Sequence, residues 1–184
     1  MCSDRLVEGN QLFSSKILEQ DPAYFEDLQA GQSPDYFVIS CSDSRVSPSV
    51  ISNSPLGTMF VHRNIANQVR KDDDSLAASL YYALVHLKVK KIIIKGHTGC
   101  GGVAAAQGGN EEPHLKGWIK GIKEGFSSQG YSADNDLQEL VKANVKAQVE
   151  QMKNHPVYKE YGGNTEVAGY LFDLGSGKLE QLDV

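Results

Sequence analysis

Apolar residues fall in short unbroken runs separated by longer periodic stretches, and this alternation predicts the fold. "DYFVIS" (35–40), "GTMFVH" (57–62) and "KKIIIKG" (90–96) are rich in β-branched and aromatic residues, the pattern of strands buried on both faces. Between the last two, "SLAASLYYALVHL" (75–87) is too long and too rich in alanine and leucine for a strand, so it predicts a helix. Strands alternating with helices imply a parallel sheet with right-handed crossovers. Over 134–153, Leu137, Leu140, Val141, Val145, Val149 and Met152 recur at helical spacing after an Asp/Asn cluster suited to an N-cap, a stripe expected to face the core. "VAGYLFDLGSGKLEQL" (167–182) reads as two strands joined by its Gly-Ser-Gly turn, ending the sheet in an antiparallel hairpin.

At the N-terminus, residues 4–20 and 22–30 predict an amphipathic helical arm, with Leu6, Phe13, Ile17 and Leu18 as its apolar stripe and Pro22 restarting the chain. Residues 108–133, with scattered glycines and the lone Trp118, predict a helix with flexible flanks. The fold class is therefore α/β: a mostly parallel central sheet flanked by helices, an antiparallel C-terminal hairpin and an N-terminal helical arm. The 184 residues, 40% of them hydrophobic, suit one sizeable core, so 1–184 is read as a single domain, with 1–30 as arm and 31–184 as α/β core.

Charge and apolar length narrow the function classes. A formal net charge of -5 leaves no footprint for nucleic acid or an anionic membrane. No apolar run approaches the roughly 18 residues of a membrane span, and "MCSDRLVEGN" carries no hydrophobic signal core. A soluble, cytoplasmic protein is expected. The 3 cysteines, Cys2, Cys41 and Cys100, are odd in number and too few for a disulfide scaffold. Cys2, near the chain end, receives no role.

The remaining two cysteines carry the chemistry. Cys41 follows the first core strand in "YFVISCSDSRV", and His97 and Cys100 follow the third in "IIIKGHTGCGGVAAA". Ligands bind at the carboxyl ends of parallel strands, and these loops meet if the first and third strands are neighbours where strand order reverses. Two thiolates and an imidazole with one open position form a recognised catalytic zinc set, whereas structural zinc takes four protein ligands. Taken singly, each residue has a plainer reading: Cys41 as a small buried hydrophobe, and Asp43 and Arg45 as a turn carboxylate and a solvated ion pair. Phe60, Ile65 and Tyr82 read as core, Arg63 and Asn64 as loop anchors after the second strand, and His62, His86, His114 and His155 carry no assignment. Gly99, Gly101 and Ala104 also fit a G-x-G-x-x-A dinucleotide fingerprint, but the acidic residue that motif needs would be Glu124, inside the helical-looking "WIKGIKEGF".

Taken together, Cys41-x-Asp43-x-Arg45 followed 56 residues after Cys41 by His97-x-x-Cys100 resembles the signature of the β-class carbonic anhydrases. The likeness extends through "FVHRNIANQV" (60–69), "YYALVHLKV" (81–89) and "GHTGCGGV" (96–103) and covers roughly residues 31–107. The resemblance implies one Zn2+ per chain held by Cys41, His97 and Cys100, with Asp43 and Arg45 as the catalytic dyad. It also implies, as in the plant-like branch, a substrate-binding glutamine at Gln32, an apolar pocket from Phe60, Ile65 and Tyr82 partly supplied by a second subunit, and a substrate-facing backbone N–H at Gly101. Another branch has an allosteric bicarbonate site and a tryptophan three residues before the first ligand cysteine; here that position is Val38.

The implied reaction is reversible hydration of carbon dioxide to bicarbonate by a zinc-bound hydroxide, in a homodimer or a dimer-based homo-oligomer. In the three-histidine carbonic anhydrases the zinc water has a pKa near ~7, against 15.7 in bulk water. Two thiolates should make that water less acidic, so activity should rise in the alkaline range. Two rivals share parts of the pattern: hydrolysis of carbon disulfide or carbonyl sulfide at the same centre, and a non-catalytic zinc- or dinucleotide-binding module indifferent to Asp43.

Overall fold

The computed structural model describes residues 2–184, with side chains from Arg5 onward; the Cys2 side chain lies outside the described residues. The chain divides into two compact units, 1–32 and 33–184. The first unit is a helical pair, α1 (Cys2–Gln20) and α2 (Tyr24–Gln29), in which Phe13 meets Phe25 edge-on at 6.4 Å. Its apolar positions Leu6, Val7, Leu12 and Leu18 are exposed.

The second unit is built on a five-stranded sheet. Its strands are β1 (Tyr36–Cys41), β2 (Met59–Asn64), β3 (Lys91–His97), β4 (Glu166–Phe172) and β5 (Leu179–Leu182), in the order β2-β1-β3-β4-β5. The first four are parallel and β5 pairs antiparallel with β4, as the hairpin pattern predicts. In β1 every residue after Tyr36 is buried, which is why its sequence shows no alternation. The edge strand β2 does alternate between exposed and half-buried positions. An edge can carry polar side chains without burying them, so the strand runs through Arg63 and Asn64 rather than stopping at residue 62.

Helix α7 (Leu137–Lys153) begins at a capping box formed by Asp136 and Glu139, which satisfies two of the free N–H groups at its start. Its Leu140, Val141, Val145, Val149 and Met152 are buried, on the stripe its sequence marks out. The helix comes close to β3 and β4 at two glycines. A Cβ on Gly96 would lie 2.5 Å from Val145 Cγ2, and one on Gly169 would lie 2.9 Å from Val145 Cγ1; only a bare backbone fits there.

Helix α4 (Asp74–Tyr81), capped by Asp73, is followed by a π-helical turn at Tyr82–His86. There Leu87 N–H reaches back to Tyr82 O and Lys88 turns left-handed at φ 54, so the predicted single helix over 75–87 ends in a wider turn. The weakly patterned 108–133 holds α6 (Lys116–Ser128), whose Ile119, Ile122 and Phe126 are buried. Helix α5 (Gly101–Gly108) follows β3 and ends on left-handed Gly109. Two short helices that begin on prolines, α3 (Pro48–Ile51) and α8 (Pro156–Tyr161), have too few residues to show a period.

Candidate metal centre

From β1 the chain passes to β2 on one side, then crosses to β3 on the other. This reversal sets the carboxyl ends of β1 and β3 side by side and opens a crevice beyond them. Cys41 ends β1, His97 ends β3, and Cys100 caps α5. Their ligand atoms lie within 4.8 Å of one another and all three residues are buried.

The donor set fits a tetrahedral ion. Cys41 Sγ and Cys100 Sγ are 4.0 Å apart, and zinc–sulfur bonds of about 2.3 Å place two tetrahedral sulfurs about 3.8 Å apart. His97 is fully buried; its Nδ1 lies 3.0 Å from Thr98 O, while its Nε2 has no hydrogen-bond partner. A carbonyl on Nδ1 holds the proton there and leaves the Nε2 lone pair for a ligand. A buried polar atom without a partner is costly, and a metal would satisfy this one.

The two thiols are electrostatically unequal. The Cys100 thiol beside it holds Cys41 well below the usual thiol range against the opposing effect of burial, with smaller help from His97 and from the Asp43 and Ala66 backbones. Cys100 is pushed up by that same bond and by burial. A cation between the sulfurs removes this asymmetry, because it favours both thiolates.

Asp43 stands at the rim, with Oδ2 3.8 Å from His97 Nε2. Arg45 grips it with both ends of its guanidinium, Nε to Oδ1 at 2.9 Å and Nη2 to Oδ2 at 2.7 Å, and its backbone N–H adds a third bond to Oδ1 at 2.9 Å. These bonds, the Arg45 side chain foremost, hold the Asp43 carboxyl well below the usual carboxylate range. Asp43 therefore stays an ionised acceptor with a fixed direction.

Several contacts that position this group have only a faint sequence signature. Arg63 donates through Nε and Nη2 to Cys41 O at 2.9 and 2.8 Å, and through Nη2 to Asp43 O at 2.7 Å. Ala66 N–H donates to Cys41 Sγ at 3.4 Å, from a tight turn in which Ala66 and Asn67 both take left-handed backbone, φ 60 and 49. That conformation costs a non-glycine residue of order 1–3 kcal/mol. A buried amide network holds it: Asn64 exchanges two bonds with the Gln68 backbone, and Gln68 Nε2 and Asn144 Nδ2 both donate to Ala66 O. The amide residues Asn64, Asn67 and Gln68, at the end of the second strand and just beyond it, are its only sign in the sequence.

The other expected residues are distributed as follows. Ile65 adjoins the cluster through Ala66 and Gly102, whose added Cβ would lie 2.6 Å from Ile65 Cγ2. Phe60 stacks between Phe37 and Tyr82 at 5.8 and 5.9 Å. Ile65 is 39% and Tyr82 43% exposed, so the reading of these two as core is corrected: the described residues leave a large part of each open. Gly101 opens α5, exposed, with open space where a Cβ would stand. Gln32 is the last residue of the N-terminal unit. Glu124 is exposed within α6 and not at the end of a strand, which removes the acidic partner of the dinucleotide fingerprint.

Comparison with known proteins agrees with this geometry. Residues 36–179 match the family model described as carbonic anhydrase. A carbonic anhydrase of Emericella nidulans is 36% identical over 190 residues, covering 98% of this chain and 83% of the relative. Among solved structures, the β-carbonic anhydrase CafA of Aspergillus fumigatus superposes with TM-score 0.90 at 33% identity, over 100% of this chain and 91% of its own. A β-carbonic anhydrase of Sordaria macrospora, described as tetrameric, gives TM-score 0.91 at 32% identity, over 100% of this chain and 98% of its own. Sequence and fold thus agree across nearly the whole chain, which belongs to the β-carbonic anhydrase family.

Proposed function

We propose that this chain hydrates carbon dioxide reversibly to bicarbonate, as a zinc enzyme of the plant-like branch. The observation that carries the reading is the Cys41, His97 and Cys100 cluster with an ionised Asp43 fixed beside it by Arg45. Zinc, when bound by those three side chains, supplies Lewis-acid activation of a water toward CO2. Asp43 accepts a hydrogen bond from the O–H of the attacking water, which aims the oxygen lone pair at the substrate carbon. Arg45 keeps the carboxylate in that orientation and away from the ligand cluster. Phe60, Ile65 and Tyr82 form apolar walls suited to a small nonpolar substrate, and the Gly101 N–H polarises one of its oxygens. The proton lost from that water passes to solvent, and bicarbonate then leaves.

The working form is proposed to be a homodimer or an assembly of dimers in the cytoplasm. Exposed Ile65 and Tyr82 support this, since a second copy would complete an apolar pocket that one chain leaves open. The tetrameric Sordaria macrospora relative is consistent with it. No helix among the described residues is long and apolar enough to cross a membrane.

The test is stopped-flow CO2 hydration at alkaline pH, with zinc quantified in the same sample and Cys100→Ser as control. Fast hydration, lost together with the metal in the variant, is the expected result. A zinc-loaded wild type that leaves CO2 untouched would refute the reading, and carbon disulfide and carbonyl sulfide would be assayed next.

A further inference from the structure

Lys95 lies near the end of β3 and is 4% exposed. Register places it between Ser40 of β1 and Tyr170 of β4, in the middle of the sheet. A lysine there loses its hydration and must be explained by what it holds. Its Nζ donates to Val46 O at 3.2 Å. No carboxylate among the described residues lies within ion-pair distance of it. Lys95 is therefore not half of a buried ion pair, and its specific contact is one backbone carbonyl.

That carbonyl closes the turn carrying the dyad. Val46 follows Arg45, and Val46 N–H donates back to Asp43 O at 3.2 Å. From the β2 side, Arg63 fastens the turn at Cys41 O and Asp43 O. From the β3 side, Lys95 fastens its far end at Val46 O. The bonds between Asp43 and Arg45 lie inside the turn and move with it, so they cannot fix where the pair stands. External anchors on opposite sides can, and on the β2 side Ser42 N–H to Asn64 O at 2.9 Å joins those of Arg63.

We propose that Lys95 is a positioning residue, whose Nζ hydrogen bond to Val46 O fixes the turn that presents Asp43 and Arg45 to the ligand cluster. Its kinetic consequence rests on the carbonic anhydrase reading; its structural consequence does not. An amine donates this bond whether or not it carries the extra proton. Without the anchor, the Val46 end of the turn can drift and the Asp43 carboxylate loses its fixed direction.

The experiment is amide hydrogen exchange by NMR on the zinc-loaded protein, comparing wild type with Lys95→Met, Lys95→Leu and Lys95→Arg. The Arg45 and Val46 amides report directly, because both donate to Asp43. In the methionine and leucine variants they should exchange about fivefold faster, as expected when one ordinary hydrogen bond is lost from a local opening equilibrium. Amides of α7 should be unchanged. Turnover should fall by a similar factor with KM and zinc content unchanged, and arginine, which keeps a donor, should restore both readouts.

Leucine, which like methionine has no donor, is measured beside it so that one misfolded variant does not remove the test. Wild-type protection of Arg45 and Val46 in either folded variant overturns the proposal. So does an arginine variant as loose as the methionine one, which would mean that volume rather than the hydrogen bond matters. A wild type that does not hydrate CO2 would refute the function assigned above while leaving the exchange comparison intact.

Discussion

Replacing Asn144 by alanine should both destabilise the fold and weaken the metal site, although Asn144 is not among the metal ligands. The side chain is buried on α7 and makes three bonds: it accepts from Gln68 Nε2 at 2.8 Å and from Gln148 Nε2 at 3.3 Å, and donates to Ala66 O at 3.1 Å. After truncation, Gln68 Nε2 and Ala66 O still hold each other at 2.9 Å, whereas Gln148 Nε2 loses its acceptor. Two good bonds at about 1 kcal/mol each, a weaker third and one stranded buried amide come to about 2–4 kcal/mol. For a chain of this size that is a fall in Tm of about 5–15 °C, read together with the urea midpoint at unchanged slope. The turn it releases carries the N–H that donates to Cys41 Sγ, so zinc affinity, measured by chelator competition, should drop about tenfold. The control is Asn154→Ala, since Asn154 makes its bond to Glu150 O at an exposed position and should cost less than about 0.5 kcal/mol. An Asn144→Ala protein as stable as that control would refute the idea that this network holds the left-handed turn.

Three further outcomes are expected. Gly96→Ala should cost about 1–3 kcal/mol by overpacking against Val145, and Val145→Ala in the same chain should recover much of it; a double-mutant cycle with no coupling would mean that the helix simply moves aside. Arg45→Ala should keep zinc yet lose about 100-fold in turnover, because an unrestrained Asp43 no longer points one way; full activity with bound zinc would show that the guanidinium is dispensable. Burial holds His155 below the ordinary histidine range, against the opposing Arg70 carbonyl. As pH falls below the unfolded value of 6.5, the unfolded chain therefore takes up a proton before the folded one does, and stability declines. His155→Asn, which keeps a cap acceptor for Val157 N–H, should flatten the urea midpoint between pH 7 and 5, and an unaltered slope would remove His155 from the acid limb.

Much of this protein was legible in order along the chain, because the responsible physics is local. A strand buried on both faces carries an unbroken apolar run, and β1 does at 37–39 and β3 at 92–94; a helix against a sheet must repeat its apolar residues every three or four positions, and α7 does. The Cys41-x-Asp43-x-Arg45 group was readable for the same reason. Arg45 reaches Asp43 across a two-residue gap within one turn, so spacing alone permits the pair. His97 and Cys100 likewise sit on one short loop.

What needed the tertiary structure was every relation between distant segments. That Cys41 meets Cys100 depends on β1 and β3 being neighbours at the reversal of strand order, a property of the whole sheet. The left-handed backbone at Ala66 and Asn67 runs against their own preference and persists because Asn144, far along the chain, donates to Ala66 O. Arg63 reads as a loop residue until pairing with Ser40 extends β2 through it. Lys95 looks like a surface lysine, yet it is buried with its Nζ on Val46 O. Local sequence sets the conformation a segment prefers alone, but burial and partner choice are decided by what the rest of the fold brings against it.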